Sequence, residues 1–356
     1  MYEQRIKQLC GYLSEQQLDA FLVSKPTSLQ YIVGFTGSNG LSIISDKTVF
    51  FLTDFRYKEQ ASAEVTADEI VPADGPLVHS LNKLTGFDSI KRLGFESEYV
   101  TYDTYGKLCG IAGETALIPC SEVIDRIAAK KSPEEIEFLQ KACDITVSVY
   151  KKVRPLLKEG VSEIEIAAEI SYKIKKNGGD GDAFEPHVLF GKNTAFPHGK
   201  PGQTKLRTGD VIQLDFGAVY KGYHADFSRV LFLGNPPEYM LHIHSVVNKA
   251  LEQAIETIQP GIAANAIDAA ARNIINRKGF GQYFGHSAGH GVGLSVHTLP
   301  KISAANAEPV EEGNVFTIEP GIYIPDFGGV RIEDVVSIGQ SGAMVLTEVQ
   351  RDLVIL

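Results

Sequence analysis

GVSEIEIAAEISYKIKKNG, residues 160–178, returns without a gap as GIAANAIDAAARNIINRKG, residues 261–279, at an offset of 101. The opening and closing glycines coincide, as do Ile166 with Ile267, Ala168 with Ala269 and Ile174 with Ile275. Both copies place apolar residues three and four apart, the spacing of an amphipathic helix with one buried stripe. A repeat of this kind predicts two related half-units, with a functional site at the seam between them.

The sequence after each copy supports that reading. VIQLDFGAVYKGYHADFSRVLFL, residues 211–233, is β-rich around the turn signal Lys221-Gly222 and predicts a hairpin. Asp215 and Asp226 are eleven apart, so a two- or four-residue loop sets both carboxylates on one face, opposite or one diagonal apart. NVFTIEPGIYIPDFGGVRIEDVVSI, residues 314–338, predicts a second hairpin around Pro325 to Gly329, and an odd-length loop brings Glu319 and Glu333 to one face. Counted from Gly178 and Gly279, the acids fall at +37 and +48 in one half and at +40 and +54 in the other. His198 at +20 and His297 at +18 are approximate mates by the same count.

Four carboxylates at one seam bring about four negative charges into a low-dielectric place, which two divalent cations would cancel. GHSAGHGVGLSVH, residues 285–297, adds three histidines near those acids in the second half. As a helix this segment would lose roughly 1 kcal/mol at each of Gly285, Gly289, Gly291 and Gly293, so it is expected as extended or looped backbone passing close to a ligand, a metal or another strand. One histidine among hard oxygen donors suits manganese, cobalt, iron or zinc.

The chain has 356 residues, a length that suits two domains, and a formal charge of -10 without a Lys/Arg tract. That balance argues against nucleic acid or an anionic membrane as partner. The four cysteines form no CxxC pair, no apolar run reaches the length of a membrane span, and the N-terminus lacks a signal-peptide core, so a cytoplasmic protein is expected. Up to Cys120, short strands (DAFLVS, LSIISDKTVFFLTD, RLGFES) alternate with helical segments, which predicts a compact α/β domain. Ser132, Pro133 and Glu135 open a long helix with a capping box. The expected domains are therefore residues 1–125 and 126–356.

The ordered set LDFGAVYKGYHAD, HSAGHGVGL, TIEPGIYI and GGVRIEDVV resembles the pita-bread metallopeptidase family of aminopeptidase P and prolidase, from about Lys131 to the C-terminus. YIVGFTGSNG and LTDFRYKEQA resemble the N-terminal domain of the bacterial Xaa-Pro peptidases. The resemblance implies an α/β fold with a creatinase-like N-terminal domain and a pseudo-twofold, pita-bread catalytic domain. It implies two divalent ions, manganese first with cobalt, zinc or iron as alternatives, held by Asp215, Asp226, His290, Glu319 and Glu333. Asp226 and Glu333 would bridge them. It further implies that His297 contacts substrate, that His198 stabilises the oxyanion or shuttles a proton, and that Glu319 is the general base and acid. Arg331 pairs either with a substrate carboxylate or with a neighbouring acid. His286 falls outside the ligand set, and His79, His187, His242 and His244 are read as structural.

The implied activity is hydrolysis of the bond before a proline in second position, by an Xaa-Pro aminopeptidase that is expected to be a homodimer, with Xaa-Pro dipeptidase as the alternative. Two positions depart from the family: Thr298 stands where members often carry glutamate, and His224 where a small or aromatic residue is usual. A non-catalytic binding protein and a creatinase-like C–N hydrolase on the same fold are disfavoured by the full set of carboxylates and histidines. A nucleotide loop at GHGVGL lacks the GxGxxG spacing.

Overall fold

A computed structural model describes all 356 residues, which divide into two compact units, Met1–Ala128 and Ala129–Leu356. The first unit runs α1 (Tyr2–Gln16), β1 (Ala20–Val23), α2 (Pro26–Val33), β2 (Gly40–Ser45), β3 (Val49–Thr53), α3 (Lys58–Glu64), β4 (Glu69–Pro72), β5 (Arg92–Glu96), α4 (Tyr102–Ala112), β6 (Ala116–Cys120) and α5 (Val123–Ala129). Its mixed six-stranded sheet has the order β4-β3-β2-β1-β5-β6. The central strand β1 is AFLV, buried at all four positions, as expected of a strand covered on both faces.

The second unit opens with α6 (Pro133–Val153), whose N-terminus carries the predicted Ser132/Glu135 capping box. It continues with α7 (Glu163–Lys176), β7 (Gly181–Asp182), β8 (His187–Phe190), β9 (Val211–Asp215), β10 (Ala218–Tyr220), β11 (Tyr223–His224) and β12 (Ser228–Phe232). The second half follows as α8 (Glu238–Thr257), α9 (Ala264–Arg277), β13 (Gly289–Gly291), β14 (Thr298–Ile302), β15 (Val315–Ile318), β16 (Gly321–Ile324), β17 (Gly328–Arg331) and β18 (Asp334–Gly339), with β19 (Gly342–Val345) and β20 (Val354–Ile355) closing the chain.

The sequence repeat is a structural repeat. Helices α7 and α9 start and stop 101 residues apart, and each presents an apolar stripe, Ile166, Ile170 and Ile174 in one and Ile267, Ala271 and Ile275 in the other, to the core of its own half. The glycines that bound them, Gly160, Gly178, Gly261 and Gly279, all have φ between +83° and +89°, a region that side chains avoid, so glycine recurs there for a backbone reason. The half-sheets correspond as well: the order β12-β9-β8 is mirrored by β18-β15-β13. An isolated bridge between Ser228 and Glu333 joins the two halves.

Candidate metal centre

Each half presents its acids from an interrupted hairpin. In the first, Lys221 and Gly222 both have positive φ and make the two-residue turn, which pairs Tyr220 with Tyr223 and Val219 with His224. The outer ladder β9–β12 keeps that register, with Ser228 opposite Asp215, so Asp226 lies opposite Gly217 and one diagonal from Asp215. A Cβ on Gly217 would sit 1.8 Å from the Ala225 carbonyl oxygen, so the crossing that delivers Asp226 needs glycine there. In the second hairpin, Ile318 pairs with Asp334 and Gly321 with Arg331, which places Glu319 directly opposite Glu333.

His290 lies in the middle of β13, between β14 and β15. The glycines around it are there for the neighbouring strands: a Cβ on Gly289 would meet the Thr317 carbonyl oxygen at 1.9 Å, and one on Gly291 the Leu299 carbonyl oxygen at 2.1 Å. The Nδ1 of His290 donates to the Gly291 carbonyl at 3.1 Å, which leaves the Nε2 lone pair facing Asp226 Oδ2 and Glu319 Oε1, each 3.6 Å away. One ligand atom from each of Asp226, His290 and Glu333 lies within 4.8 Å of the others.

These acids cannot all ionise in a closed site. Burial first, and then the charges of Asp215 and Glu319, push the Asp226 carboxyl well above the carboxylate range. Burial, with Asp226 next, does the same to Glu333. Burial outweighs the opposing Arg331 charge and, with Asp215 adding, pushes Glu319 up to about 8. His290 is pulled down to about 4 by burial and then by His297, so it stays a neutral donor. Glu333 Oε2 accepts from Ser228 Oγ at 3.0 Å, whereas its Oε1 is buried with no hydrogen-bond partner. An orphaned carboxylate oxygen, a correctly oriented imidazole and mutually repelling acids fit a divalent cation.

Arg331 is committed to the protein. It donates to Ser228 Oγ at 3.1 Å, to the Pro197 carbonyl at 3.2 Å, to Tyr323 Oη at 2.8 Å and to Asp215 Oδ2. Of the two roles open to it in the sequence, pairing with a neighbouring acid is the one its contacts favour. Tyr323, pushed up to about 12 by burial, keeps its proton and donates to His286 Nε2 at 3.1 Å, since His286 Nδ1 donates to the Ser287 carbonyl. His286 thus ends a chain that reaches Asp215 through Tyr323 and Arg331.

His297 is exposed, with its ring centroid 4.2 Å from that of His290. His198 is exposed on the loop between β8 and β9. The sequence reading missed His187, which pairs with Asp215 across the β8–β9 ladder and brings Nδ1 to 3.6 Å from Asp215 Oδ2. Its ring also lies 6.1 Å from that of His198. That position beside the cluster was not expected; the signal was available, because His187 falls at +9 from Gly178 and His290 at +11 from Gly279. Of the departures, His224 Nδ1 lies 3.2 Å from the Gly293 carbonyl and Thr298 Oγ1 donates to the Leu299 carbonyl, so both are tied to backbone. All four cysteines are free thiols, and none contributes to the cluster.

The family models match along most of the chain: residues 137–340 match Metallopeptidase family M24, and residues 5–127 match the Creatinase/Prolidase N-terminal domain. The chain belongs to metallopeptidase family M24. An Xaa-Pro dipeptidase of Pyrococcus horikoshii is 34% identical over 99% of both chains. A solved Xaa-Pro dipeptidase from Bacillus anthracis superposes with a TM-score of 0.97 at 35% identity, covering 100% of each chain. A solved X-Pro aminopeptidase from Thermotoga maritima superposes with a TM-score of 0.91 at 34% identity, covering 99% of this chain and 100% of its own. As an M24 enzyme the protein is a metal-dependent peptidase with a creatinase-type N-terminal domain and a pita-bread catalytic domain. No helix in it is long and apolar enough to cross a membrane.

Proposed function

We propose that this M24 peptidase hydrolyses Xaa-Pro dipeptides. The observation that carries the metallopeptidase chemistry is the convergence of Asp226, His290 and Glu333 around the unpartnered Glu333 Oε1. The choice of substrate is supported by the full-length likeness to Xaa-Pro dipeptidases, which outweighs the lean toward aminopeptidase drawn from the N-terminal motifs. With Arg331 engaged, Lys301 is the candidate partner for a dipeptide's C-terminal carboxylate: it is exposed, and it lies directly across the β13–β14 ladder from His290.

Asp215, Asp226, His290, Glu319 and Glu333 would hold two divalent ions, manganese first among the candidates. When bound, the ions supply Lewis acidity and bring the pKa of water toward neutrality. Glu319, whose Oε1 lies 3.6 Å from His290 Nε2 in the cluster, takes up a proton as a carboxylate and returns it to the leaving proline nitrogen. His198, exposed beside the site, donates to the developing oxyanion, a term worth a few kcal/mol. His297 contacts the substrate, and Arg331 fixes the Asp215 carboxylate. The partner is thus a short peptide with proline in second position, and a homodimer is the proposed assembly.

The test is a comparison of kcat/KM for an Xaa-Pro dipeptide with that for the matching Xaa-Pro-Xaa tripeptide, using metal-reconstituted protein. A dipeptide preference of about tenfold or more, roughly 1.4 kcal/mol in transition-state binding, is expected. Preference for the tripeptide returns the aminopeptidase reading, and equal turnover with alanine in place of proline removes both.

A further inference from the structure

We propose that Glu163 is a positioning residue that sets the loop carrying His198, an inference that rests on the role given above to that histidine. Glu163 is the first residue of α7, but its own helix does not use its carboxylate: Ser162 and Glu165 already cap that end with a reciprocal pair of hydrogen bonds. The Glu163 side chain is buried and reaches from α7 to the segment between β8 and β9. Its Oε1 accepts from the Phe190 backbone N–H at 2.8 Å and from Asn193 Nδ2 at 2.9 Å, and its Oε2 accepts from the Gly202 backbone N–H at 3.0 Å. Phe190 is the last residue of β8, and Gly202 lies on the far side of the loop. One carboxylate therefore fastens both ends of the segment in whose middle His198 stands.

Two further contacts tie that segment to the metal centre. Gly329 N–H donates to Thr194 Oγ1 at 2.8 Å, and Arg331 donates to the Pro197 carbonyl, next to His198. The second half builds a counterpart on α9. There the buried Asp268 forms a two-pronged ion pair with Arg272 and accepts from the Ala288 N–H at 3.1 Å, while Arg272 donates to the Phe284 and His286 carbonyls at 3.0 and 2.8 Å. In both halves a buried acid on the repeated helix holds the histidine-bearing segment.

The experiment uses metal-loaded enzyme with an Xaa-Pro dipeptide and the variants Glu163→Gln, His198→Ala and their combination, together with hydrogen exchange. A glutamine amide offers one acceptor and one donor arm, so either orientation leaves one end of the loop without its acceptor. Glu163→Gln is expected to lower kcat by about tenfold or more while KM and metal content stay within roughly twofold, because the misplaced group works on the transition state. Exchange should quicken across residues 190–202 and stay unchanged in α8 and α9. In the His198→Ala background, Glu163→Gln should lower kcat by less than about twofold more, since its effect passes through the missing ring.

Unaltered exchange in the loop, or the same kcat loss with and without His198, overturns the proposal. Wild-type activity in His198→Ala removes the role given to that histidine, and loop exchange alone then judges Glu163. Should Glu163→Gln fail to fold, Asn193→Ala removes one of the three donors, with the same effects expected at smaller size.

Discussion

Gly217→Ala tests whether the first hairpin's crossing delivers Asp226. The added Cβ would lie 1.8 Å from the Ala225 carbonyl oxygen and 2.6 Å from its carbon, where ordinary contact begins near 3.4 Å, so the backbones must part by about 1.5 Å. Neither strand can yield cheaply. The Lys221-Gly222 turn pins one side and the β9–β12 ladder the other, and the Phe216 and Phe227 rings on either side of the crossing pack against each other in the core. Overpacking of this kind costs about 3 kcal/mol. In a unit of this size that lowers Tm by roughly 6–12 °C. The displacement falls on Ala225 and therefore on Asp226, so metal affinity should fall in the same variant. The assay is thermal unfolding of chelated protein followed by metal titration, with Gly106→Ala as control. Gly106 is exposed within α4 with nothing within 4 Å of an added Cβ, so that change should be neutral or slightly stabilising. Wild-type Tm and metal affinity in Gly217→Ala would refute the reasoning.

Glu333→Gln and His290→Ala should each lower bound metal from about two ions per chain, whereas His198→Ala and His297→Ala should keep the metal and lose turnover; equal metal loss in all four would show the roles to be misassigned. In chelated protein, Glu319 keeps its proton in the folded state up to about pH 8 but releases it near 4.5 when unfolded, and the raised Asp226 and Glu333 act in the same direction, so stability falls as pH rises through that range. His286 and His290, at about 4 when folded against an ordinary 6.5, oppose this below pH 6.5. The acids therefore act alone between pH 6.5 and 8, where Tm of chelated protein should drop and that of metal-loaded protein should not; a flat profile for the chelated form would contradict the proposed repulsion.

Much of the site was legible because its determinants are local. Spacing and turn chemistry narrowed the registers: strand periodicity put Asp215 and Asp226 on one face, opposite or diagonal, and Glu319 and Glu333 on one face of the second hairpin, while the ladders themselves select the diagonal for the first pair and the facing placement for the second. The capping box at Ser132 and the paired helices are local in the same sense. The glycines around His290 announced a close approach, but only the fold shows that strands β14 and β15 make it.

What tertiary structure alone decided are contacts between side chains of different strands that no local pattern announces. The Ser228–Glu333 bridge that brings the two hairpins together, the commitment of Arg331 to Asp215 and Tyr323, and the place of His187 beside Asp215 all depend on how β8, β9, β12 and β17 pack. An arginine or a histidine has the same letter whether its donors meet a substrate or a neighbour. Which it meets depends on the groups that burial leaves to be satisfied, and those are chosen when the two halves close on each other.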